Sequence, residues 1–537
     1  MRSRVNIIQL PVLRASFALI LLLMAAAPAS AQKRSGTLKI FFFDSPASMS
    51  IHEEYTIASQ GPMMGVFNNL VMFDQNIPQA GLDSIVPDLA SAWSWNADGT
   101  ELALTLRPNV NWHDGKPFTA RDVKCTWDLL LDRGKDKLRI NPRKTWYANL
   151  EEIAVEGDHR VIFRLKRRQP SLLAMLASGF SPVYPCHVPP AQMRQAPIGT
   201  GPFKFVEFRR NEMIRVTRNL DYWKKDRPFL DGIDWMIIKS PATGVLAFMA
   251  GQVDMTSPYF LQVPMIKDIR ARAPLATCAL PPSNVQRNVI LNRTAPPFNN
   301  AEMRRAVALT IDRKAFIDTL TQGAGQIGGV LLAPPEGIWG MPEGLMVRLP
   351  GYHPDVPKNR AEARKIMEKL GYGPSNRMKL KVSTRDIAPF RDPAVLLIDQ
   401  LKEIYIDAEL ETVDTTGWFP KVVRKDYTIG LNLTGNGIDD PDQTLYENYK
   451  CGSDSNYDGY CNPEIDKLID EQSMEVNQAK RNIMVFEIER RLAEDVARPI
   501  LYHNRSGTCW HPYVKGYTPM INSIYNNHRM EGVWLDR

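Results

Sequence analysis

The chain has 537 residues, with 66 Lys and Arg against 59 Asp and Glu, a formal charge of +7, and 44% hydrophobic residues. This length exceeds what one hydrophobic core usually supports, so two or three lobes are expected. No run of Lys or Arg and no alternation of basic with aromatic residues marks a nucleic-acid surface, and the chain has no internal repeat or low-complexity tract.

The N-terminus reads as an address. Arg2, Arg4 and Arg14 form a positive region, Phe17 to Ala27 an apolar one, and Ala29-Ser30-Ala31 a small-residue cleavage site. A signal peptide over 1–31 is therefore expected, with the mature protein starting near Gln32 in a periplasm. The apolar core is short for a membrane span and no cysteine stands at the cut, so neither an inserted helix nor a lipid anchor is expected. Cleavage removes three arginines and no acid, lowering the formal charge from +7 to +4.

Farther along, Leu102, Leu104 and Leu106 alternate with smaller or polar residues, the period of a half-buried strand, and Asp114-Gly115 supplies a turn. Thr119 and Asp122 form a capping-box variant for a helix whose Val123, Trp127, Leu130 and Leu131 share one face. The Gly/Pro-rich stretch from Pro197 to Val206 reads as a crossing point, followed by strands near Met213 to Thr217 and Ile233 to Ile238. A helix from Ala242 is closed by Gly251. Asn299 or Asn300 caps a helix carrying Met303, Ala306, Val307 and Thr310 on one face, and Asp312 caps a second that ends at Gly323. Asn359 and Glu362 open another that stops at Gly371, strands and helices alternate from Lys379 to Val413, and a strand covers Thr428 to Leu433. Asn462 with Pro463 opens a long charged pair of helices running to about Ala497.

Signatures of catalysis are weak. Gly323, Gly325 and Gly328 spell G-x-G-x-x-G, but behind a helix rather than a strand, so a dinucleotide site is not expected. G-x-S-x-G, H-E-x-x-H and paired C-x-x-C are missing, and His503 with His511 have no specific metal-ligand spacing. Neither a catalytic residue, a metal nor a cofactor is expected. Of the six cysteines, Cys451 and Cys461 make the best disulfide pair because they enclose a short polar loop; the pairing of Cys125, Cys186, Cys278 and Cys509 stays open, with Cys125, on the Thr119 helix, reading first as a small buried thiol.

The order of words between Val86 and Asp132, namely PDLA, W, DGT, HDGKPFTA-DV and W-LL, exceeds what an ordinary strand-turn-helix needs. Together with PIGTGPFKFV, RNLDYWKKDRPFLDGI, LAFMAGQVDM, NRTAPPF, RRAVALTIDR and AEARKIMEKLGY, it resembles extracellular solute-binding family five, the peptide/nickel class that delivers ligands to ABC importers. The resemblance implies an α/β fold, a two-lobed periplasmic binding protein of class II, large type, with an extra inserted subdomain and a ligand cleft between the lobes. The boundaries expected are 36–74, 199–288 and 501–537 for lobe I, 75–198 for its inserted subdomain, and 289–500 for lobe II. The implied role is a monomeric receptor for a peptide or other small molecule that closes around its ligand and docks on the permease subunits. An oligosaccharide, an opine-like compound or a chelated metal stays open as ligand. A secreted hydrolase or a periplasmic chaperone is the competing class; the latter would need an exposed apolar groove.

For the ligand, the resemblance points to the loop before Pro441. Peptide-binding relatives carry an aspartate four residues before the equivalent proline to pair with the ligand ammonium; here that position is Gly437, so Asn436, Asp439 and Asp440 become candidates. A ligand carboxylate would need a cation, and Arg385 stands roughly where dipeptide-binding members place one, with Arg391 an equal contender. Phe43, Tyr259, Trp339 and Trp418 are candidates to line the cleft, because large aromatics serve both cores and binding sites.

Overall fold

The computed structural model describes residue 34 and residues 36–537. The expected signal peptide, 1–31, lies outside the described residues. Among these, no helix is long and apolar enough to cross a membrane.

Three sheets organise the chain. The first has Thr37–Phe42 parallel to Gly232–Ile237, which continues antiparallel into Met213–Arg218 and Phe203–Arg209. Between its first and second contributions the chain builds a separate antiparallel sheet, in spatial order Ala90–Trp95, Glu101–Leu106, Arg160–Leu165 and Leu150–Val155. The alternation read from the sequence is real: Leu102, Leu104 and Leu106 are buried. At the start of the helix Ala120–Leu130 the Asp122 carboxylate accepts from Thr119 N at 2.9 Å, half of a capping box, and Trp127 packs edge-on against Phe163 with ring centroids 5.1 Å apart. The chain re-enters the first sheet through Gly199 and Gly201, where a Cβ would run into the Val66 backbone.

The third sheet has the order Ile406–Val413, Met378–Arg385, Ile429–Gly435, Pro282–Leu291, Ile500–Arg505. Its first three strands are parallel, with helices Ala388–Lys402 and Thr415–Val423 in the connections, and its last two are antiparallel to their neighbours. Pro282–Leu291 and Ile500–Arg505 continue backwards as a narrower ribbon, Thr277–Ala279 against Thr508–Trp510, and Met255 bridges both that ribbon and Ile40 of the first sheet. Two strands thus tie the two main sheets together. Cys278 and Cys509 stand directly opposite on the ribbon and are joined by a disulfide, with Cα atoms 4.1 Å apart.

Cys451 is joined to Cys461, as expected. Cys125 departs from expectation. It is bonded to Cys186, because the helix turns Val123, Thr126 and Trp127 inward and leaves Cys125 exposed. The segment leading to the turn at Cys186 is held alongside by hydrogen bonds from Tyr184 N to Thr126 Oγ1 (2.9 Å) and from Cys186 N to Asp122 Oδ1 (2.9 Å). Asn300, Asp312 and Asn462 cap their helices through side-chain oxygens, as the spacing predicts. The helix expected from Asn359 starts earlier, at Val356, because Asp355 accepts from Lys358 N and Pro357 fits the first turn.

Candidate functional site

A cavity of ≈ 140 Å³ opens where the loops of the first sheet meet the strand ends of the third. Phe43, which follows Thr37–Phe42, stacks on Phe260 with centroids 4.8 Å apart. Tyr55 reaches across and stacks on Phe419 of the helix Thr415–Val423 at 4.9 Å. Tyr259 completes this wall at φ 56°, the left-handed region that costs a non-glycine residue about 1–2 kcal/mol, and its hydroxyl accepts from Met520 N at 2.7 Å. The aromatic walls are interspersed with polar and charged side chains.

One of those groups is Arg385, at the end of Met378–Arg385. Its Nη2 lies 2.6 Å from Asp44 Oδ2, its Nε donates to Thr415 Oγ1 at 2.8 Å, and the Thr415 hydroxyl donates to Asp44. Asp44 follows a strand of the first sheet, so this buried ion pair links the two main sheets across the cavity. Arg391, by contrast, is half-exposed on a helix beside Asp386 and Asp392. Glu447, from the helix Pro441–Asn448, lines the cavity and accepts from Gln443 at 3.2 Å; burial pushes its carboxyl up to about 7. Arg287 lines it from Pro282–Leu291.

Of the candidates read from the sequence, Phe43, Tyr259 and Arg385 come together here. Trp339, Asp439 and Asp440 instead line a second cleft of ≈ 570 Å³, between Gln79–Ser84 and the helix Gln478–Glu494. In that cleft Asp440 caps Pro441–Asn448 and receives two bonds of 2.7 Å from Arg481, whose guanidinium lies over Trp339. The Asp439 carbonyl accepts from Trp339 Nε1 at 2.9 Å, and burial pushes its carboxyl up to about 6. Asn436 is buried and lines neither cleft, donating to Asn284 Oδ1 at 3.1 Å and accepting from Thr444. Trp418 is 0% exposed and packs with Ile290, Val422, Tyr427 and Tyr457 in a core cluster. Sequence reading missed Tyr55, Arg287, Phe419 and Glu447. None of the four carried a distinct signal; Arg287 stands between Gln286 and Asn288 on a strand that mixes polar and apolar residues.

Residues 84–456, more than half of the chain, match the bacterial extracellular solute-binding proteins, family 5. The chain belongs to this family. Di/tripeptide-binding protein 3 of Pseudomonas aeruginosa is 25% identical over 519 residues, covering 91% of this chain and 92% of that protein. The solved structure of the periplasmic binding protein DppA of Helicobacter pylori in complex with the peptide STSA superposes with a TM-score of 0.82 at 20% identity, covering 94% of this chain and 99% of its own. That of AgaA of A. tumefacien R10 in complex with agropinic acid gives 0.79 at 23% identity, with 94% and 99% covered. These likenesses establish the fold of a two-lobed family 5 binding protein.

His503 is buried with Nε2 bonded to Gly329 O at 2.9 Å, and burial pulls it down to about 4. Among the described residues no group of three or more His, Cys, Asp or Glu is arranged to hold a metal ion.

Proposed function

We propose that this family 5 protein is the periplasmic receptor of an ABC importer, taking a small peptide or peptide-like amino compound into the ≈ 140 Å³ cavity and presenting it, closed, to the permease. The observation that carries this reading is the aromatic cavity walled by both main sheets and spanned by the Asp44–Arg385 pair. A ligand that touches both walls binds the closed arrangement better than the open one and shifts the population toward it. The relatives named as di/tripeptide-binding support the peptide class. Phe43, Tyr259 and Arg385 belong to the proposed site; Trp339, Asp439 and Asp440 serve the second cleft. No catalytic step is assigned, and a monomer suffices because one chain supplies the whole cavity.

The division into lobe I (36–74, 199–288, 501–537), its insertion (75–198) and lobe II (289–500) is part of the same proposal. It is supported by the membership of the three sheets and by the ribbon that joins them.

An opine-like ligand is the second reading. It is favoured by Gly437, which leaves the family's usual ammonium partner without a carboxylate, and by the likeness to AgaA. Native mass spectrometry of the mature protein, purified without refolding and then denatured to release what it holds, decides. A released peptide or amino compound is expected; a released sugar or metal chelate would overturn the ligand class.

A further inference from the structure

Eight arginines are buried among the described residues, and seven of them donate to a carboxylate or to a backbone carbonyl. Arg287 is the exception. It is 4% exposed, and its Nε and Nη1 are buried without a hydrogen-bond partner. Tyr502, its cross-strand neighbour, lies with its ring centroid 5.5 Å from the guanidinium, and no carboxylate of the described residues pairs with it. A guanidinium has five donors and cannot shed its proton at ordinary pH, so leaving it unpaired in a protein interior is strongly unfavourable. Arg287 faces the cavity, where the Oδ1 of Asn432 and the Oγ of Ser455 are likewise buried without partners.

We infer that the ligand is a small dipolar compound whose carboxylate is bound by Arg287 and whose basic group faces Glu447 of the same cavity. This rests on the receptor reading above and deepens it. Arg385 is the less suitable anion partner, because its charge is already balanced by Asp44, and Asp44 and Thr415 take two of its donors. A carboxylate fits better than a phosphate ester: one guanidinium balances one charge, whereas a phosphate brings about −1.5 to −2. The ≈ 140 Å³ cavity is close to the roughly 150 Å³ that accommodates benzene in an engineered protein core, so the enclosed ligand is short rather than a long peptide. Glu447 stands apart from Arg287, on the helix Pro441–Asn448.

The test compares Arg287→Met and Arg287→Lys with the wild type, each checked for folding by circular dichroism. The probes are alanyl-alanine, its C-terminal amide and acetate. In the wild type the free dipeptide is expected to bind at least tenfold more tightly than the amide by calorimetry, and Arg287→Met should bind both equally weakly. Without ligand, Arg287→Met should melt no lower than the wild type, since the unpaired buried charge is gone. A retained preference for the free acid in Arg287→Met overturns the inference and leaves the peptide reading standing. If neither dipeptide binds the wild type, the peptide reading fails, and acetate decides the role of Arg287. Acetate at tens of millimolar should raise the melting temperature of the wild type and not that of Arg287→Met; an equal rise in both overturns the inference. Should Arg287→Met not fold, Arg287→Lys carries the same comparisons, with the acid preference reduced because the planar fork is lost.

Discussion

Exchanging Asp44 for Asn should weaken ligand binding far more than it lowers the stability of the unliganded protein. The carboxylate and Arg385 are 2.6 Å apart, with side chains 7% and 3% exposed, and they come from different main sheets. At an effective dielectric near 20, two unit charges at that distance attract by about 6 kcal/mol, most of it offset by desolvation. Removing one partner from such a buried pair typically costs about 3–5 kcal/mol, because the other charge is left unpaired. Here the cost falls on the closed arrangement, since parting the lobes returns both groups to water. By linkage it then appears in ligand affinity as a loss of roughly two to three and a half powers of ten. Isothermal titration with the retained ligand measures it, and small-angle scattering should show a larger radius of gyration for Asp44→Asn. The double variant Asp44→Asn with Arg385→Gln should recover most of the loss, because no orphan charge remains. Wild-type affinity with an unchanged radius, or a double variant that simply adds the two single losses, would refute the assignment of this pair to closure.

Neighbouring residues on one helix should separate cleanly. Phe419→Ala, which removes the stack on Tyr55, is expected to weaken binding with little effect on stability, while Trp418→Ala should destabilise by about 3–5 kcal/mol in chemical denaturation, because Trp418 is core. Replacing Cys451 and Cys461 by Ala should cost about 3 kcal/mol from the 10-residue separation, and Cys278 with Cys509 about 5 kcal/mol from 231, so reductant should act more strongly through the ribbon. His528 is buried with both ring nitrogens unpartnered, and burial pulls it down to about 3. Below pH 6.5 the unfolded chain takes up a proton there that the folded protein refuses, so the stability contributed at neutral pH is lost on acidification. His528→Phe should therefore gain on the wild type by up to about 1.4 kcal/mol per pH unit between pH 6.5 and about 3, measured by urea titration. A constant difference across that window would show that His528 is not held neutral.

What the sequence made legible was local. Alternation at Leu102, Leu104 and Leu106 and the caps at Thr119, Asn300, Asp312 and Asn462 are short-range physics, and each appears where the spacing put it. Facing, by contrast, depends on the partner surface. Trp418 and Phe419 are adjacent, about 100° apart around the helix axis, and only the packing of Thr415–Val423 against Ile290 decides that the tryptophan goes inward and the phenylalanine toward the cavity. Cys125 was misjudged for the same reason: helix phase turned it outward, toward a segment 61 residues away in the chain. Arg287 stands between Gln286 and Asn288, where a charge is ordinary in sequence, and that it lacks a partner is a three-dimensional fact.

Gly437 draws these strands together. The family resemblance looked for an acid at this position and, failing that, turned to Asp439 and Asp440, which are committed to Asn522 and Arg481 beside the second cleft. The structure gives a steric reason for the glycine. A Cβ there would stand 2.8 Å from Ser178 Oγ, its amide donates to Gln443, and its carbonyl accepts from Asn526 at 2.6 Å. Ser178 belongs to the expected insertion and Asn526 to the C-terminal segment, so the chain itself occupies the space that a side chain at 437 would claim. A cationic group in the cavity must then find its partner elsewhere. Glu447 is the carboxylate that lines the cavity, and Gln443, which holds the Gly437 amide, also donates to it. Its ordinary affinity for a proton is raised to about 7, so a bound cation would ionise it and binding near neutral pH should release a proton, more so as the pH falls below 7. Gln443 thus ties the two positions together, its Oε1 accepting from the Gly437 amide and its Nε2 donating to the Glu447 carboxylate.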